Sequence, residues 1–537
     1  MAGGRGLAMS SILLIVVAGM ERFTFKGVAA NMMSYLTDVV KMSNSSAAKM
    51  VNNWCGLTYL VPLLVAPLAD SFLDRYSIIL LSSLPYLLGL LALTSRAFRW
   101  PWRARTNTST ASTLLGWSLA LISLGLGVYT ASLQAFGADQ LDYDHDDNTD
   151  QEDPGGGEES SDRRSRFFQR WYFGICCGCL LGVVGMSYIQ DTVGWGLGFA
   201  IPSFVMVASV ALFLSGTRFY RFKKTGVESN HLIQAIKGRV ASRLKNRGGD
   251  SLPAEKSEVV VVVELHEQIS SPLYDEDSNG GKKQNDDMNP LDLVKLVIRL
   301  LPTWMTLLMF AVIFQQPATF FTRQGMTMER NIIGTKIKVP PAALQSAIAV
   351  SVILLMPLYH KAFIPSIRAF TRNEKGVTVR QRMGIGMFLS VVAMVVAAVT
   401  ERRRLCVSNR QTEDVHGDNV VPMSIFWLLP QYILLGVSDI FTVVGMQEFF
   451  YSAVPENMRT FGVALNTSVF GVGNFLGSAL IAAIEHLTGS RSAGERRSWF
   501  SNDLREARLD YYYWFLASSS GISLAAFILF CKLVRVR

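Results

Sequence analysis

The sequence is poor in charged residues. Only 17% of its 537 residues are Asp, Glu, Lys or Arg, and 50% are hydrophobic, whereas soluble domains carry about 25% charged residues. A soluble chain of this length would divide into several domains joined by polar linkers. The net charge of +9 lies in loops between apolar segments, so it indicates orientation in a membrane rather than binding to nucleic acid.

Cysteine and histidine are also scarce. Six cysteines are too few for a disulfide framework, and Cys176, Cys177 and Cys179 share one apolar segment, where packing explains them better than a metal site. The six histidines, at positions 145, 231, 266, 360, 416 and 486, fall in predicted loops or near helix ends. This distribution argues against a histidine proton relay inside the apolar segments.

Motifs of the common enzymes are missing as well. The sequence contains no phosphate-cradling Gly-Lys-Ser loop, no nucleophile elbow and no metal-ligand spacing. We therefore predict that the chain is not an enzyme, is not an ATP-driven pump, and uses no metal or other cofactor.

Long apolar segments are what the sequence does contain. Crossing ~30 Å of hydrocarbon takes roughly 20 helical residues, and because only helices and closed barrels satisfy their backbone in lipid, segments this long are helices. We predict an all-α membrane protein of about twelve transmembrane helices, at residues 7–36, 52–72, 77–95, 113–136, 168–190, 194–216, 292–322, 341–364, 381–400, 421–449, 459–486 and 510–534.

The longest polar stretch separates six spans from six. It predicts an N-terminal half at 1–216, a cytoplasmic linker at 217–290 with a basic amphipathic helix and a disordered segment, and a C-terminal half at 291–537. Two six-helix halves around a midplane site are the architecture of the major facilitator fold.

Basic residues in the linker and in the loop between spans 8 and 9 indicate that these loops are cytoplasmic. The run Arg402-Arg403-Arg404 departs from this rule, because it falls on the opposite side. Two glycosylation sequons, which begin at Asn44 and Asn107, also fall on that non-cytoplasmic side.

A few charges lie where lipid would otherwise be. Each costs at least ~2.5–3.5 kcal/mol at the bilayer centre, so such residues normally face a cavity or a partner. Glu21, Arg22 and Lys26 lie in the middle of the first span, with Arg22 and Lys26 on one face, and Asp439 lies deep in the tenth. These residues favour a central substrate or ion site, with a purely structural charge cluster as the alternative.

Uncharged polar residues give a weaker indication in span 7. Gln315 and Gln316 are equally compatible with substrate binding and with hydrogen bonds to neighbouring helices.

Charged residues also mark the short connection between spans 2 and 3. Asp70, Asp74 and Arg75 lie there, and an acid and a base beside a tight loop suit a clasp that gates the transporter. Interfacial snorkelling of these side chains is the alternative.

Six stretches of the chain together resemble the plant nitrate/peptide transporter branch of the proton-coupled oligopeptide transporter family, within the major facilitator superfamily. They begin at Glu21 (ERFTFKG), Phe136 (FGADQL), Tyr188 (YIQDTVGWGLGF), Phe320 (FFTRQGMTM), Gln447 (QEFFYSAVP) and Leu509 (LDYYYWF). The resemblance covers essentially the whole chain. It implies secondary active transport, usually with protons, of nitrate, di- or tripeptides, or in some members hormones and glucosides.

The first span departs from the family's motif, which is Glu-x-x-Glu-Arg followed by a Tyr-Tyr pair. Glu21 and Arg22 are kept, whereas Ala18 replaces the first Glu, and Phe25 and Lys26 replace the tyrosines. The resemblance implies that the lost carboxylate belongs to the proton-coupling network.

Other site positions are altered too. Thr130 stands where a span-4 lysine is common, Phe314 where some nitrate-carrying members have a histidine, and Asp439 where the span-10 acid is usually Glu. The joint loss of a carboxylate and its lysine partner is self-consistent, because a lone buried lysine would be costly.

These departures lead to a prediction of function. Two cations on one face favour an anion, so we predict a transporter of nitrate or a similar anion, working by alternating access with proton coupling weakened or absent. Substrate-binding or coupling residues are predicted to be Glu21, Arg22, Phe25, Lys26, Thr130, Phe314, Gln316 and Asp439.

A proton-coupled transporter of di- or tripeptides, hormones or specialised metabolites is the alternative. The expected partners are the solute, the lipid bilayer and, in the coupled case, protons, with no nucleic acid. The expected location is the vacuolar membrane or the plasma membrane, and the altered motif resembles a sub-branch associated with vacuolar nitrate movement, which favours the former.

Overall fold

A computed structural model describes residues 2–72, 74–98, 108–146, 156–220, 290–332, 338–358, 378–411, 420–454, 459–489, 498–504 and 507–536. Within these residues, one helix lies at each of the twelve predicted spans. They are α1 (Ala2–Ala29), α2 (Asn44–Phe72), α3 (Arg75–Ala97), α4 (Thr108–Asp146), α5 (Gly156–Thr192), α6 (Trp195–Ser215), α7 (Pro290–Phe314), α8 (Ser346–Leu358), α9 (Val379–Gln411), α10 (Leu429–Ser452), α11 (Arg459–Gly489) and α12 (Leu509–Val536).

Nine helical segments in the described part of the chain are long and apolar enough to cross a membrane. They are Arg75–Ala97, Thr113–Gln134, Arg170–Thr192, Trp195–Arg218, Ile298–Met326, Val379–Arg410, Ile425–Ser452, Gly462–Thr488 and Leu509–Leu533. The other three predicted spans correspond to α1, α2 and α8. The prediction of an all-α membrane protein is confirmed.

Several predicted spans are interrupted rather than continuous. Residues 292–322 divide into α7, a 3₁₀ turn at Gln316–Ala318 and a short helix at Phe320–Met326. Pro317 explains the break, because proline lacks an N–H and clashes with the preceding turn. Other short segments are the helix Met32–Ser34, the π-helix Tyr35–Val39, and the 3₁₀ helices Gly216–Arg218, Pro341–Gln345 and Ile425–Leu428.

Two short strands form the sheet seen in the described residues. β1 (Met328–Glu329) pairs in parallel with β2 (Val421–Ser424), with Met328 opposite Val421. The strands tie the segment after α7 to the segment before α10.

The halves meet most extensively where α2 lies along α11. A Cβ atom at Gly56 would lie only 3.1 Å from the Gly471 carbonyl oxygen, so the two backbones approach closely. Small residues allow such helix contacts in membranes.

Two arginines of the run 402–404, in the C-terminal part of α9, make local contacts. Arg404 is fully buried, and its Nε and Nη2 donate to the Glu401 carboxylate at 2.7 and 2.6 Å. Arg404 Nη2 also donates to the Leu504 carbonyl at 2.8 Å. The Arg403 guanidinium lies 4.1 Å from the centroid of the Trp427 ring, a cation–π contact.

The chain forms two compact units. One comprises Met1–Lys224 and Leu308–Ile522, and it contains all the site residues considered below. The other comprises Thr225–Leu307 and Ser523–Arg537, where the Ser523 hydroxyl donates to the Thr306 carbonyl at 2.6 Å. Most of the predicted linker 217–290, including its amphipathic helix, lies outside the described residues, and the division at 1–216 and 291–537 stays a prediction.

Candidate functional site

Backbone contact with α5 fixes the position of the charged segment of α1. A Cβ atom added at Gly178 would overlap the Gly19 carbonyl oxygen, and one at Gly182 would crowd the Phe23 carbonyl oxygen. By contrast, a Cβ atom added at Gly185, further along α5, would meet no atom within 4 Å. The two helices are therefore held together at the level of Glu21.

Glu21 and Arg22 form an incomplete ion pair in the C-terminal third of α1. Glu21 is 2% exposed, and its Oε2 lies 3.5 Å from Arg22 Nε. Within the described residues, neither Glu21 Oε1 nor Arg22 Nε has a hydrogen-bond partner. The Arg22 side chain is 23% exposed, so its guanidinium retains hydrogen-bonding capacity for a solute.

Lys26 follows one turn later and is partly exposed. Tyr59 of α2 and Cys179 of α5 lie within electrostatic range of both Lys26 and Arg22. Residues of α2 and α5 thus lie near both cations.

The C-terminal half reaches the same place through α7. Gln315 Nε2 donates to Cys55 Sγ at 3.3 Å, and Cys55 lies within electrostatic range of Lys26. Of the two glutamines left open by the sequence, Gln315 is the one that contacts this part of α2.

Asp439 of α10 brings a second carboxylate to the cluster. It is partly exposed and lies within electrostatic range of Lys26 and of Tyr172 on α5. A carboxylate of the C-terminal half therefore lies near Lys26 of the N-terminal half.

Aromatic rings border this cluster. Phe470 of α11 has its ring centroid 5.8 Å from Tyr59 and 5.8 Å from Phe314 of α7. Phe314 also stacks on Phe310 at 5.8 Å. The sequence singled out Phe314 but missed Tyr59 and Phe470, because single aromatic residues in apolar helices carry no distinguishing pattern.

Three predicted site residues make other contacts. The Thr130 hydroxyl donates to the Leu126 carbonyl of its own helix at 2.9 Å. Gln316 is buried, and its Nε2 donates to the Val312 carbonyl at 2.9 Å and to the Tyr512 hydroxyl at 3.4 Å. Phe25 is buried against Trp54, with ring centroids 5.7 Å apart. Their roles at the site stay predictions.

The predicted clasp between spans 2 and 3 is described only in part. Asp74 is exposed and caps α3, since its Oδ2 accepts from the Ser77 N–H at 3.1 Å, a common N-terminal cap. Arg75 is half-buried in the first turn of α3. The side chain of Asp70 lies outside the described residues, so gating by this segment stays a prediction.

The sequence did not predict a contact between α2 and α11 that lies away from the cations. Lys49 Nζ of α2 lies 2.8 Å from Glu485 Oε2 of α11, and the Ser45 hydroxyl donates to Glu485 Oε1. These residues lie at the helix ends that the sequence assigns to the non-cytoplasmic side.

Two further ion pairs lie on the same side of the molecule, in other segments of the chain. Arg323 Nη1 is 3.1 Å from Asp38 Oδ1, and Arg330 Nη1 is 3.0 Å from Asp191 Oδ2. With the Lys49–Glu485 contact, they join the N-terminal half to the C-terminal half; we name these three ion pairs the outer contacts.

Asn44, the first residue of a sequon, takes part in the same junction. It is 2% exposed; its Nδ2 donates to the Ser501 carbonyl at 2.9 Å, and its Oδ1 accepts from Arg323 Nε at 2.9 Å. Its backbone N–H donates to Asn502 Oδ1 at 3.1 Å. The amide that would carry a glycan is therefore fully engaged in protein contacts.

Comparison with solved structures identifies the fold. The chain superposes on the POT family transporter PepTSo with a TM-score of 0.69 and 18% sequence identity, covering 98% of this chain and 99% of that one. A POT family transporter solved with 5-aminolevulinic acid gives a TM-score of 0.66 at 14% identity, covering 99% and 96%.

Sequence comparison identifies the family. Residues 76–499 match the PTR2 model of the POT family. The chain is 53% identical to the Arabidopsis thaliana protein NRT1/PTR FAMILY 5.9, covering 98% of this chain and 96% of that protein. It is 40% identical to NRT1/PTR FAMILY 5.14 of the same plant, covering 97% and 92%. The chain belongs to the POT family of membrane transporters, in its NRT1/PTR branch.

Proposed function

We propose that this secondary transporter carries a small anion, nitrate first, and that Arg22 and Lys26 bind it. The observation that carries the proposal is the pair of partly exposed cations, one turn apart near the C-terminal end of α1. A charge-assisted hydrogen bond to an anion is shorter and stronger than a neutral one. The partly exposed side chain of Arg22 supplies such donors.

The two carboxylates limit what the site accepts. Glu21 already opposes Arg22 at 3.5 Å, and Asp439 lies within range of Lys26. The four groups together are close to neutral when all are ionised, so a single negative charge is easier to accommodate than two.

We further propose that proton coupling is weak. Ala18 is buried and contributes no carboxylate, and Thr130 bonds to its own helix. Glu21 and Asp439 are the carboxylates in the described part of the site that remain able to exchange a proton.

Transport by alternating access would come from rocking of the two halves, 1–216 and 291–537, about this site. The outer contacts support this proposal, because they join the halves at one end and must break before that end can open. The linker 217–290 would connect the halves on the cytoplasmic side.

For the location, we propose the vacuolar membrane rather than the plasma membrane. The reason is the altered motif around Ala18 and Lys26, which resembles that of a sub-branch associated with vacuolar nitrate movement. A fluorescent fusion of the full chain, imaged in plant cells with markers for both membranes, tests this. Signal confined to the plasma membrane contradicts it.

The function is tested by uptake of isotopic nitrate into proteoliposomes that hold the purified protein, with and without an imposed proton gradient and with unlabelled dipeptide as competitor. Uptake that ignores both the gradient and the dipeptide supports a weakly coupled anion carrier. Gradient-driven uptake would assign a proton to Glu21 or Asp439 and contradict weak coupling. Absence of nitrate flux would contradict nitrate as the substrate.

A matched pair of variants tests the residues. Lys26→Met removes the charge and keeps the length, and it should lower nitrate affinity about 10- to 100-fold, because hydrogen bonds to charged groups contribute roughly 1.5–3 kcal/mol. Lys532→Met, at an exposed position near the end of α12, should leave the affinity unchanged. Equal affinities in the two variants would remove Lys26 from the site.

A further inference from the structure

The first and the seventh spans are both interrupted, and the two breaks belong to different halves. In the first span, α1 ends at Ala29, and residues 30 and 31 form a turn before the short helix Met32–Ser34. In the seventh span, the 3₁₀ turn Gln316–Ala318 follows α7. The last carbonyl groups of a helix have no donor within that helix, so carbonyl groups near each break need partners from elsewhere.

A glutamine of the C-terminal half supplies the donor at the break of the first span. Gln345 is the last residue of the 3₁₀ helix Pro341–Gln345, and its Nε2 donates to the Ala30 carbonyl oxygen at 2.8 Å. Ala30 is only 2% exposed, so water has little access to this residue. Because an unpaired buried carbonyl is costly, the glutamine stabilises the broken end of the first span.

The same amide group reaches the break of the seventh span. Gln345 Nε2 also donates to Thr322 Oγ1 at 3.1 Å, and the Thr322 hydroxyl donates to the Pro317 carbonyl at 2.7 Å. Thr322 is fully buried. A continuous chain of hydrogen bonds therefore leads from the Ala30 carbonyl at one break to the Pro317 carbonyl at the other.

Apolar packing surrounds this junction. Ala30, Val183 of α5 and Ala342 form a small buried cluster, with Cys179 of α5 packed against it. Ala342 belongs to the same 3₁₀ helix as Gln345. Contact between the two halves therefore accompanies the hydrogen bond from Gln345 to Ala30.

A second glutamine caps the end of α1 from within the N-terminal half. Gln190 of α5 is 2% exposed, and its Nε2 donates to the Gly27 carbonyl at 2.9 Å and to the Gly198 carbonyl at 3.2 Å. All three residues lie in the same half, so this cap does not depend on how the halves are arranged. The cap supplied by Gln345 does depend on it.

The junction lies between the outer contacts and the last turn of α1. Arg323, which pairs with Asp38 in one of the outer contacts, directly follows Thr322. On the other side, the Ala30 N–H donates to the Lys26 carbonyl at 3.0 Å. Separation of the halves at the outer contacts would therefore act first on the hydrogen bonds of Gln345 and then on the turn that begins at Lys26.

We propose that Gln345 is a positioning residue that links the breaks of the first and seventh spans. While the outer contacts are closed, it holds both breaks in one arrangement. When they open, the Ala30 carbonyl loses its donor and the last turn of α1, which carries Lys26, is released. This inference goes beyond the proposed anion site, because it does not depend on which solute is carried.

The test is hydrogen exchange, measured by mass spectrometry on the purified full-length protein in lipid nanodiscs. Gln345→Met keeps the length of this partly exposed side chain and removes its N–H donors. Exchange of the backbone amides should become about two- to tenfold faster in residues 27–34 and also in residues 316–322, as expected for the loss of neutral hydrogen bonds. Size-exclusion chromatography checks that the variant is folded.

Gln190→Met is the matched variant, because it makes the same chemical change at the cap that stays within one half. It should speed up exchange in residues 27–34 and leave residues 316–322 within twofold of the unmodified protein. The link is overturned if Gln345→Met changes neither segment, if it changes residues 27–34 alone, or if both variants change both segments.

A distance measurement tests the dependence on the outer contacts. With spin labels at Lys41 and Leu487, which are exposed, Gln345→Met should raise the population with separated outer ends about two- to tenfold, and Gln190→Met should not. The same distribution in both variants would contradict the proposal. Neither measurement uses nitrate, so failure of the anion proposal would leave this test intact.

Discussion

Lys49 and Glu485 are separated by more than 400 residues in the chain, yet Lys49 Nζ lies 2.8 Å from Glu485 Oε2. The pair joins α2 of one half to α11 of the other, at the helix ends that the sequence assigns to the non-cytoplasmic side. The Ser45 hydroxyl bonds to the same carboxylate, so Glu485 holds two residues of α2 at once.

Removing the charge of Glu485 should favour opening of this end. Partly exposed ion pairs contribute roughly 0–1 kcal/mol, so Glu485→Gln should raise the open population by up to about fivefold. Distances between spin labels at Lys41 and Leu487, both exposed, in a variant without the native cysteines would show the change. Lys49→Met should have a similar effect that does not add to the first.

The control for that experiment lies at the same end of the molecule. Glu329→Gln alters an exposed carboxylate of β1 and should leave the distance distribution unchanged. An identical distribution in Glu485→Gln would show that the contact does not hold this end closed.

The buried pair of Glu401 and Arg404 should be essential for stability. Arg404→Met leaves Glu401 charged and without its partner, and breaking a buried pair costs about 3–5 kcal/mol. Its neighbour Arg402 is exposed, so Arg402→Met should change stability by no more than about 0.5 kcal/mol. Thermal unfolding followed by size-exclusion chromatography compares the two, and similar midpoints would contradict a structural role for the pair.

The contact between α1 and α5 should not tolerate even one methyl group. Gly178→Ala places a Cβ against the Gly19 carbonyl, which cannot move without displacing the helix, and overpacking of this kind costs about 1–3 kcal/mol. Nitrate uptake should fall together with stability, because α1, the helix of Gly19, also carries Glu21 and Arg22. Gly185→Ala has room for the methyl group and should fold and transport normally, or slightly more stably because alanine favours helices.

Asn44 should carry no N-linked glycan. Its side chain bonds to Arg323 and to the Ser501 carbonyl, so a glycan is incompatible with the junction as folded. Treatment with a peptide N-glycosidase should give no change in mobility that depends on this residue. A shift that is lost in Asn44→Gln would contradict this expectation.

Nine of the spans could be predicted from length and apolarity, which largely decide whether a helix can cross a bilayer. Interruptions were harder to predict. Pro317 divides the seventh span, and the start of the tenth predicted span is the strand β2 followed by a 3₁₀ turn. Apolar composition does not distinguish these local conformations from a continuous helix.

At the candidate site, the sequence singled out charged residues and missed their aromatic neighbours. Mid-span charge singled out Glu21, Arg22, Lys26 and Asp439, and helix periodicity placed Arg22 and Lys26 together. Tyr59 could not be found in this way, because an aromatic residue is unremarkable in an apolar helix.

The glutamines and the outer contacts show a second limit of prediction from a single sequence. Gln315 and Gln316 are adjacent in sequence, at the break between α7 and the 3₁₀ turn, yet Gln315 bonds to Cys55 and Gln316 to Tyr512. The partners of the outer contacts lie on different helices, and one sequence does not reveal which pairs meet.

The burial of Arg404 bears on how the chain is inserted during synthesis. The rule that basic loops stay in the cytoplasm counts free positive charge near the ends of spans. Arg404 is neutralised by Glu401, only three residues away on the same helix, so the two can cross the translocation machinery as a compensated pair. The apparent exception at 402–404 is then reduced to Arg402 and Arg403, which are fewer than the basic residues that the sequence assigns to the cytoplasm around 217–247 and 361–382.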